Sequence, residues 1–243
     1  MSDHDQNQPD TIVVTGGANG IGAGIVERLI EQGKRVIVLD RVAPAASSDL
    51  LTWIEVDLAS PESTRNAAQQ ALAAAGVVYG LVHCAAYMPF IPFADISDDA
   101  WALTMNVNVG SAFILTQEFA PAMRAAQRGR LVFVTSSSFI SPPPGLAHYV
   151  SSKGALTGLM RTLSHELGGS HITVNAVAPG LTATDRAKEL VPQELFDVVA
   201  SNQAIPRTGQ VADHVGIVAF LLGPESGFIT GQTILVDGGE SHL

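Results

Sequence analysis

Tyr149 and Lys153 are residues whose types and spacing could do chemistry. They stand four apart in Tyr149-Val150-Ser151-Ser152-Lys153, in the middle of a stretch with helical character. That spacing puts phenol and ammonium on one helix face, one turn apart. A nearby cation favours the phenolate, so the pair predicts a Tyr149 pKa drawn down from its ordinary value of about 10. Such a tyrosine can take a proton from an alcohol or return one to a ketone. Ser136 lies thirteen residues earlier, at the end of an apolar run.

A second set of residues could hold a nucleotide. Thr11-Ile12-Val13-Val14-Thr15 reads as a buried parallel strand. It runs into Gly16-Gly17-Ala18-Asn19-Gly20-Ile21-Gly22 and then into a helical pattern from Ala23. Strand, glycine loop and helix start form a phosphate-binding turn. Glycines admit the pyrophosphate to the backbone, and the helix N-terminus supplies N–H groups and positive potential. The glycines fall at 16, 20 and 22, not in the GxGxxG spacing. A second strand, Lys34 to Asp40, ends in an acid about twenty residues after the loop, where a carboxylate can accept hydrogen bonds from a ribose. Asp40 would repel a 2′-phosphate, which favours NAD, and so does Asn19 in place of Arg or Lys. Arg41, directly after, leaves NADP open.

The elements that must position these groups alternate along the chain. Further strands are expected at Thr52–Asp57, Val77–His83, Gly129–Ser136, Ile172–Val177 and Thr233–Val236. Helices are expected over 60–75, begun by Ser60-Pro61-Glu62; over 97–125, capped by Ser97 with a bend or break at Pro121; and from about 147 to Gly168. The fold class is therefore α/β: a single Rossmann-like doubly wound sheet of about seven parallel strands with helices on both faces. Ligands in such sheets bind beyond the carboxyl ends of the strands. Residues 1–10 read as a disordered tail and 11–243 as one domain.

Composition narrows the function classes. Thirteen Lys+Arg against twenty-three Asp+Glu give a net charge of −10, against a nucleic-acid partner. The one cysteine, Cys84, and the lack of a secretion signal fit a reducing cytoplasm. With no run of eighteen apolar residues, no membrane span is expected. No His/Cys/Asp cluster has metal-ligand spacing, so no metal is expected.

Thr15-Gly16-x-x-x-Gly20-Ile21-Gly22, Asp57-Leu58, Asn108, Ser136, Tyr149-x-x-x-Lys153, Pro179-Gly180 and Val236-Asp237-Gly238-Gly239 together resemble the classical short-chain dehydrogenase/reductases. The resemblance implies a catalytic set of Asn108, Ser136, Tyr149 and Lys153. Tyr149 would be the general acid/base, Lys153 would hold the nicotinamide ribose, Ser136 the substrate oxygen, and Asn108 a water linking Lys153 to solvent. Gly16, Asn19, Gly20, Ile21 and Gly22 would cradle the NAD(H) phosphates, Asp57 and Leu58 the adenine. Ala85, Pro179, Gly180, Thr182 and Thr184 would line the nicotinamide side, together with Tyr149 and Lys153. The resemblance also implies a homotetramer or dimer.

His83-Cys84-Ala85-Ala86 stands where that family has Asn-Asn-Ala-Gly. A strand-end His83 satisfied by backbone is the expectation, with Cys84 an inert small apolar residue. Ser136 is chosen over Ser137 and Ser138 by its spacing to Tyr149. Continued strand geometry would put Ser138 on the same side and Ser137 on the other.

The substrate pocket is expected from Ala86–Phe90, Phe139–Pro144 and the segment after Gly180, with Met88, Ser138, Pro142 and Pro143 as lining. The first two stretches are apolar and carry no Arg or Lys. A neutral, apolar or aryl-bearing secondary alcohol is therefore expected. The loop Tyr87–Phe93 and the C-terminal stretch resemble bacterial 1-phenylethanol dehydrogenases. Reduction of a β-ketoacyl thioester, oxidation of a sugar, dihydrodiol or steroid, and a non-catalytic NAD-binding regulator remain open.

Overall fold

A computed structural model describes residues 10–242. The elements in order are β1 (Thr11–Thr15), α1 (Gly20–Glu31), β2 (Arg35–Asp40), β3 (Leu51–Glu55), α2 (Pro61–Ala75), β4 (Gly80–His83), α3 (Asp98–Met105), α4 (Ser111–Ala126), β5 (Gly129–Val134), α5 (Ala147–Gly168), β6 (Ile172–Pro179), α6 (Asp185–Leu190), α7 (Gln193–Asn202), α8 (Ala212–Leu222) and β7 (Thr233–Val236). All seven strands pair in parallel in one sheet, in the order β3-β2-β1-β4-β5-β6-β7. The expected Rossmann-like sheet is thus present. Its order reverses between β1 and β4, the switch point where ligands bind in such sheets.

Both sheet faces are covered, which is why the central strands read as unbroken apolar runs. Alternation sorts their side chains. Ile12 and Val14 pack with Ile25, Val26 and Leu29 of α1 and Val215, Val218 and Leu221 of α8. Val13 faces the other way, into a core with Leu115 and Phe119 of α4 and Leu156 and Met160 of α5. No helix among the described residues is long and apolar enough to cross a membrane.

Several boundaries differ from the sequence expectations. The break in the 97–125 helix falls at a π-helical segment, Asn106–Gly110, between α3 and α4. Pro121 sits inside α4 and does not end it. The fifth strand stops at Val134, so Ser136 opens a short 3-10 turn over Ser137–Phe139 instead of ending a strand. The fourth strand begins only at Gly80, and the sixth continues to Pro179. Most of the expected tail lies outside the described residues, but Asp10 is fixed: its carboxylate pairs with Lys34 at 2.8 Å and Arg128 at 2.7 Å.

Candidate active site

The glycine loop is shaped by close approach. Gly16 has φ +66°, and a Cβ there would lie 2.7 Å from Ala85 Cα. A Cβ on Gly22 would overlap the Gly16 carbonyl. Only glycine fits either place. Asn19 precedes α1 without capping it through its side chain, and the first turn holds no acid. The first-turn N–H groups are thereby left for an anion, so this loop fits a dinucleotide phosphate. Asp40, at the end of β2, reaches back to the loop: its Oδ2 accepts the Ala18 N–H at 3.1 Å and its Oδ1 the Val42 N–H at 3.3 Å. Arg41 is exposed beside it. Asp57 is exposed, its Oδ1 accepting the Ala59 N–H, and Leu58 is buried after it.

At the other side of the switch point, Tyr149 lies in the first turn of α5, not in its middle. Lys153 is one turn on, with Nζ 5.4 Å from the Tyr149 ring centroid, and both are buried. The Lys153 ammonium donates to the Val134 carbonyl at 2.8 Å. Burial pushes Lys153 down to about 8. The sequence expectation for Tyr149 is reversed in the protein alone: burial pushes the phenol up to about 12, while the Ser136 hydroxyl beside it pulls the other way. Desolvation of the phenolate is the largest cause and sets the direction. Ser136 is oriented by its own turn, its Oγ accepting the Ser138 N–H at 3.2 Å.

Asn108 sits in the π-helical segment, fully buried. Its Oδ1 accepts the Tyr87 N–H at 2.7 Å, and its amide donates to the Tyr87 carbonyl at 3.1 Å and to Ser152 Oγ at 2.9 Å. Ser152 donates in turn to the Tyr149 carbonyl. The side chain of Asn108 therefore staples the loop after β4 to α5. A π-bulge at such a place re-aims one side chain that a regular helix would point elsewhere. The Ser152 link was missed in the sequence; its position three after Tyr149 was the available signal.

Pro179 ends β6, and Gly180 packs against Asp237. Thr182 is buried, its hydroxyl 3.0 Å from the Gly180 carbonyl and 2.8 Å from His214 Nε2. Thr184 caps α6 through the Ala187 N–H, and its methyl stands over Gly20. The segment after Gly180 thus closes over the glycine loop.

Pro142 and Pro143 line an apolar groove of about 860 Å³ with Phe90, Phe93 and Val150. Met88 and Ser138 are not in its lining, nor are Ser136, Tyr149 and Lys153. Helix periodicity explains this: Ala147, Val150 and Ser151 occupy one side of α5, Tyr149 and Lys153 another. The groove holds no Arg or Lys.

A family model described as enoyl-(acyl carrier protein) reductase matches residues 16–241. The chain is 31% identical over 239 residues to a probable galactose dehydrogenase from Rhizobium meliloti, covering 94% of this chain and 93% of that one. It is 33% identical over 248 residues to 2,3-dihydroxy-2,3-dihydro-p-cumate dehydrogenase from Pseudomonas putida, covering 95% and 94%. Among solved structures, 4-hydroxyisoleucine dehydrogenase complexed with NADH superposes with a TM-score of 0.90 at 29% identity, covering 96% and 98%.

Proposed function

The chain belongs to the short-chain dehydrogenase/reductase family, a family of oxidoreductases, and on that premise we propose that it interconverts a neutral, apolar or aryl-bearing secondary alcohol and its ketone with NAD(H). The observation that carries the reading is the cluster of half-buried Ser136 with buried Tyr149 and Lys153 at the carboxyl ends of the central strands.

The nicotinamide nucleotide supplies hydride exchange when bound. This chain's residues do the rest. Ser136 holds the substrate oxygen against the Tyr149 hydroxyl. Tyr149 gives its proton to a forming alkoxide, or takes one from an alcohol. In the protein alone the phenol is protonated, the form that gives a proton in the reduction direction. Lys153 is held by the Val134 carbonyl within reach of a ribose. Asn108 and Ser152 fix α5 against the loop at Tyr87. Asp40 receives the ribose hydroxyls and disfavours a 2′-phosphate, which supports NAD over NADP.

The substrate class rests on the apolar, uncharged stretches at 86–90 and 139–144. A homo-oligomer is part of the reading, supported by Trp101 and Phe113, nearly half exposed on α3 and α4. A sugar or dihydrodiol dehydrogenase is the second reading, favoured by the two curated relatives.

Initial rates of NAD reduction on both enantiomers of 1-phenylethanol, 2-alkanols, galactose, a dihydrodiol and a β-hydroxyacyl thioester, each repeated with NADP, test both readings. Turnover of the aryl alcohols with NAD is expected. Turnover confined to galactose or the dihydrodiol transfers the assignment to the second reading. Turnover only on the thioester or only with NADP overturns the substrate or cofactor assignment.

A further inference from the structure

His83 is fully buried at the end of β4, between β1 and β5, and the mechanism above does not use it. Its Nδ1 lies 3.0 Å from Thr15 Oγ1 and its Nε2 3.2 Å from the Asn108 carbonyl oxygen. A carbonyl only accepts, so Nε2 carries the hydrogen. Nδ1 is then an acceptor, and the Thr15 hydroxyl donates to it. Thr15 Oγ1 accepts in turn from the N–H groups of Cys84 and Ala85, both at 3.1 Å. One arrangement of protons satisfies every group in the chain. A second ring proton would meet a hydroxyl already committed as donor and acceptor. Burial and the nearby Lys153 charge accordingly push His83 down to about 3, so it is neutral at physiological pH.

We propose that His83 is a positioning residue with two separable arms. The Nδ1 arm fixes Thr15, and through it the Cys84-Ala85 backbone against Gly16, so it sets nucleotide affinity. The Nε2 arm fixes the Asn108 carbonyl in the π-helical segment over α5, so it sets the rate of proton transfer. The second arm rests on the reading of Tyr149, Lys153 and Asn108 given above; the first rests only on the glycine loop as a nucleotide site. This goes beyond a strand-end histidine satisfied by backbone. The ring joins the two halves of the site across the switch point.

Side-chain length separates the arms. An Asn amide reaches the place of Nδ1, and a Gln amide the place of Nε2. His83→Asn keeps the Thr15 bond and drops the Asn108 bond, while His83→Gln does the reverse. The loss of one buried hydrogen bond is on the order of tenfold in a rate or affinity. In His83→Asn, kcat is expected to fall about tenfold with NADH affinity within about twofold of wild type. In His83→Gln, NADH affinity by fluorescence titration is expected to weaken about tenfold with kcat nearly kept. Thr15→Val removes the hydroxyl without touching His83 and is expected to reproduce the nucleotide defect, which keeps the test alive if a His83 variant does not fold. Nitrogen-15 NMR of the wild-type ring is expected to show the Nε2–H tautomer, unchanged across roughly pH 5 to 9.

Both parameters falling together in both variants, neither moving, or an Nδ1–H tautomer overturns the proposal. If the wild type turns over no substrate, the function reading fails by itself. The NADH titrations and the tautomer still decide the nucleotide arm.

Discussion

The side of the sheet built from β1, β2 and the glycine loop and the side built from β4, β5 and α5 fix their geometry by different means. The first is held by backbone. Glycines touch neighbouring backbone directly, β1 is buried along its whole length, and Asp40 is anchored by two N–H groups. The second is held by side chains that bridge irregular segments: Asn108 from a π-helical segment, Ser136 from a 3-10 turn, and Ser152 to the Tyr149 carbonyl. Backbone geometry tolerates no Cβ and little sequence change, whereas a side-chain network can be re-wired one hydrogen bond at a time. The glycine-loop side of this fold is thereby suited to a constant ligand and the other side to a variable one.

Four substitutions sharpen or break that contrast. Lys153→Met removes a buried ammonium whose charge the fold disfavours. Turnover should fall on the order of a hundredfold or more, while Tm holds or rises at neutral pH because the desolvation burden goes with the charge. A Tm that drops sharply would mean that Lys153 is structural. Gly22→Ala should destabilise by about 1–3 kcal/mol in thermal unfolding, since the Gly16 carbonyl cannot yield, and should abolish tight NADH binding. A tolerated alanine would break the claim that backbone contact fixes this side. Asp40→Ala should shrink the ratio of NAD to NADP kcat/KM about tenfold, the worth of one charge-assisted hydrogen bond. An unmoved ratio would take Asp40 out of cofactor choice. Pro121→Ala should leave kcat unchanged and shift stability by less than about 1 kcal/mol, because the functional break is at Asn106–Gly110.

Acid stability extends the contrast to the seam between the two sides. His83 is neutral when folded, with its pKa lowered from 6.5 to about 3. The unfolded chain therefore binds a proton that the folded chain refuses between those values. Stability from this group is present above 6.5 and is lost as pH falls toward 3. Thermal unfolding of wild type should show a steeper fall in Tm with acid than His83→Asn, and equal slopes would contradict a neutral, clamped ring.

What the sequence made legible divides along the same line. β1 and β7 fall on their expected residues, because short, unbroken β-branched and apolar runs bounded by glycine turns have one reading in a parallel sheet. Ser60 and Ser97 cap their helices as their positions suggest. The glycine loop was legible because its constraint lies in consecutive residues. The π-helical segment was not, since Asn106–Gly110 carries no proline and its buried Asn108 is held by partners distant in sequence, Tyr87 and Ser152. Pro121 misled for the opposite reason: α4 packs Phe119 and Met123 into the core, and that burial outweighs one missing hydrogen bond. Tyr149 misled because spacing registers Lys153 but not the burial of both groups.

Tyr149→Phe tests the central claim most directly, with initial rates on the best alcohol and an NADH titration run on the same preparation. The account predicts turnover reduced on the order of a hundredfold or more, with NADH affinity kept within about twofold. A variant that binds NADH and retains a tenth of the wild-type rate would contradict the assignment of Tyr149 as the group that moves the proton.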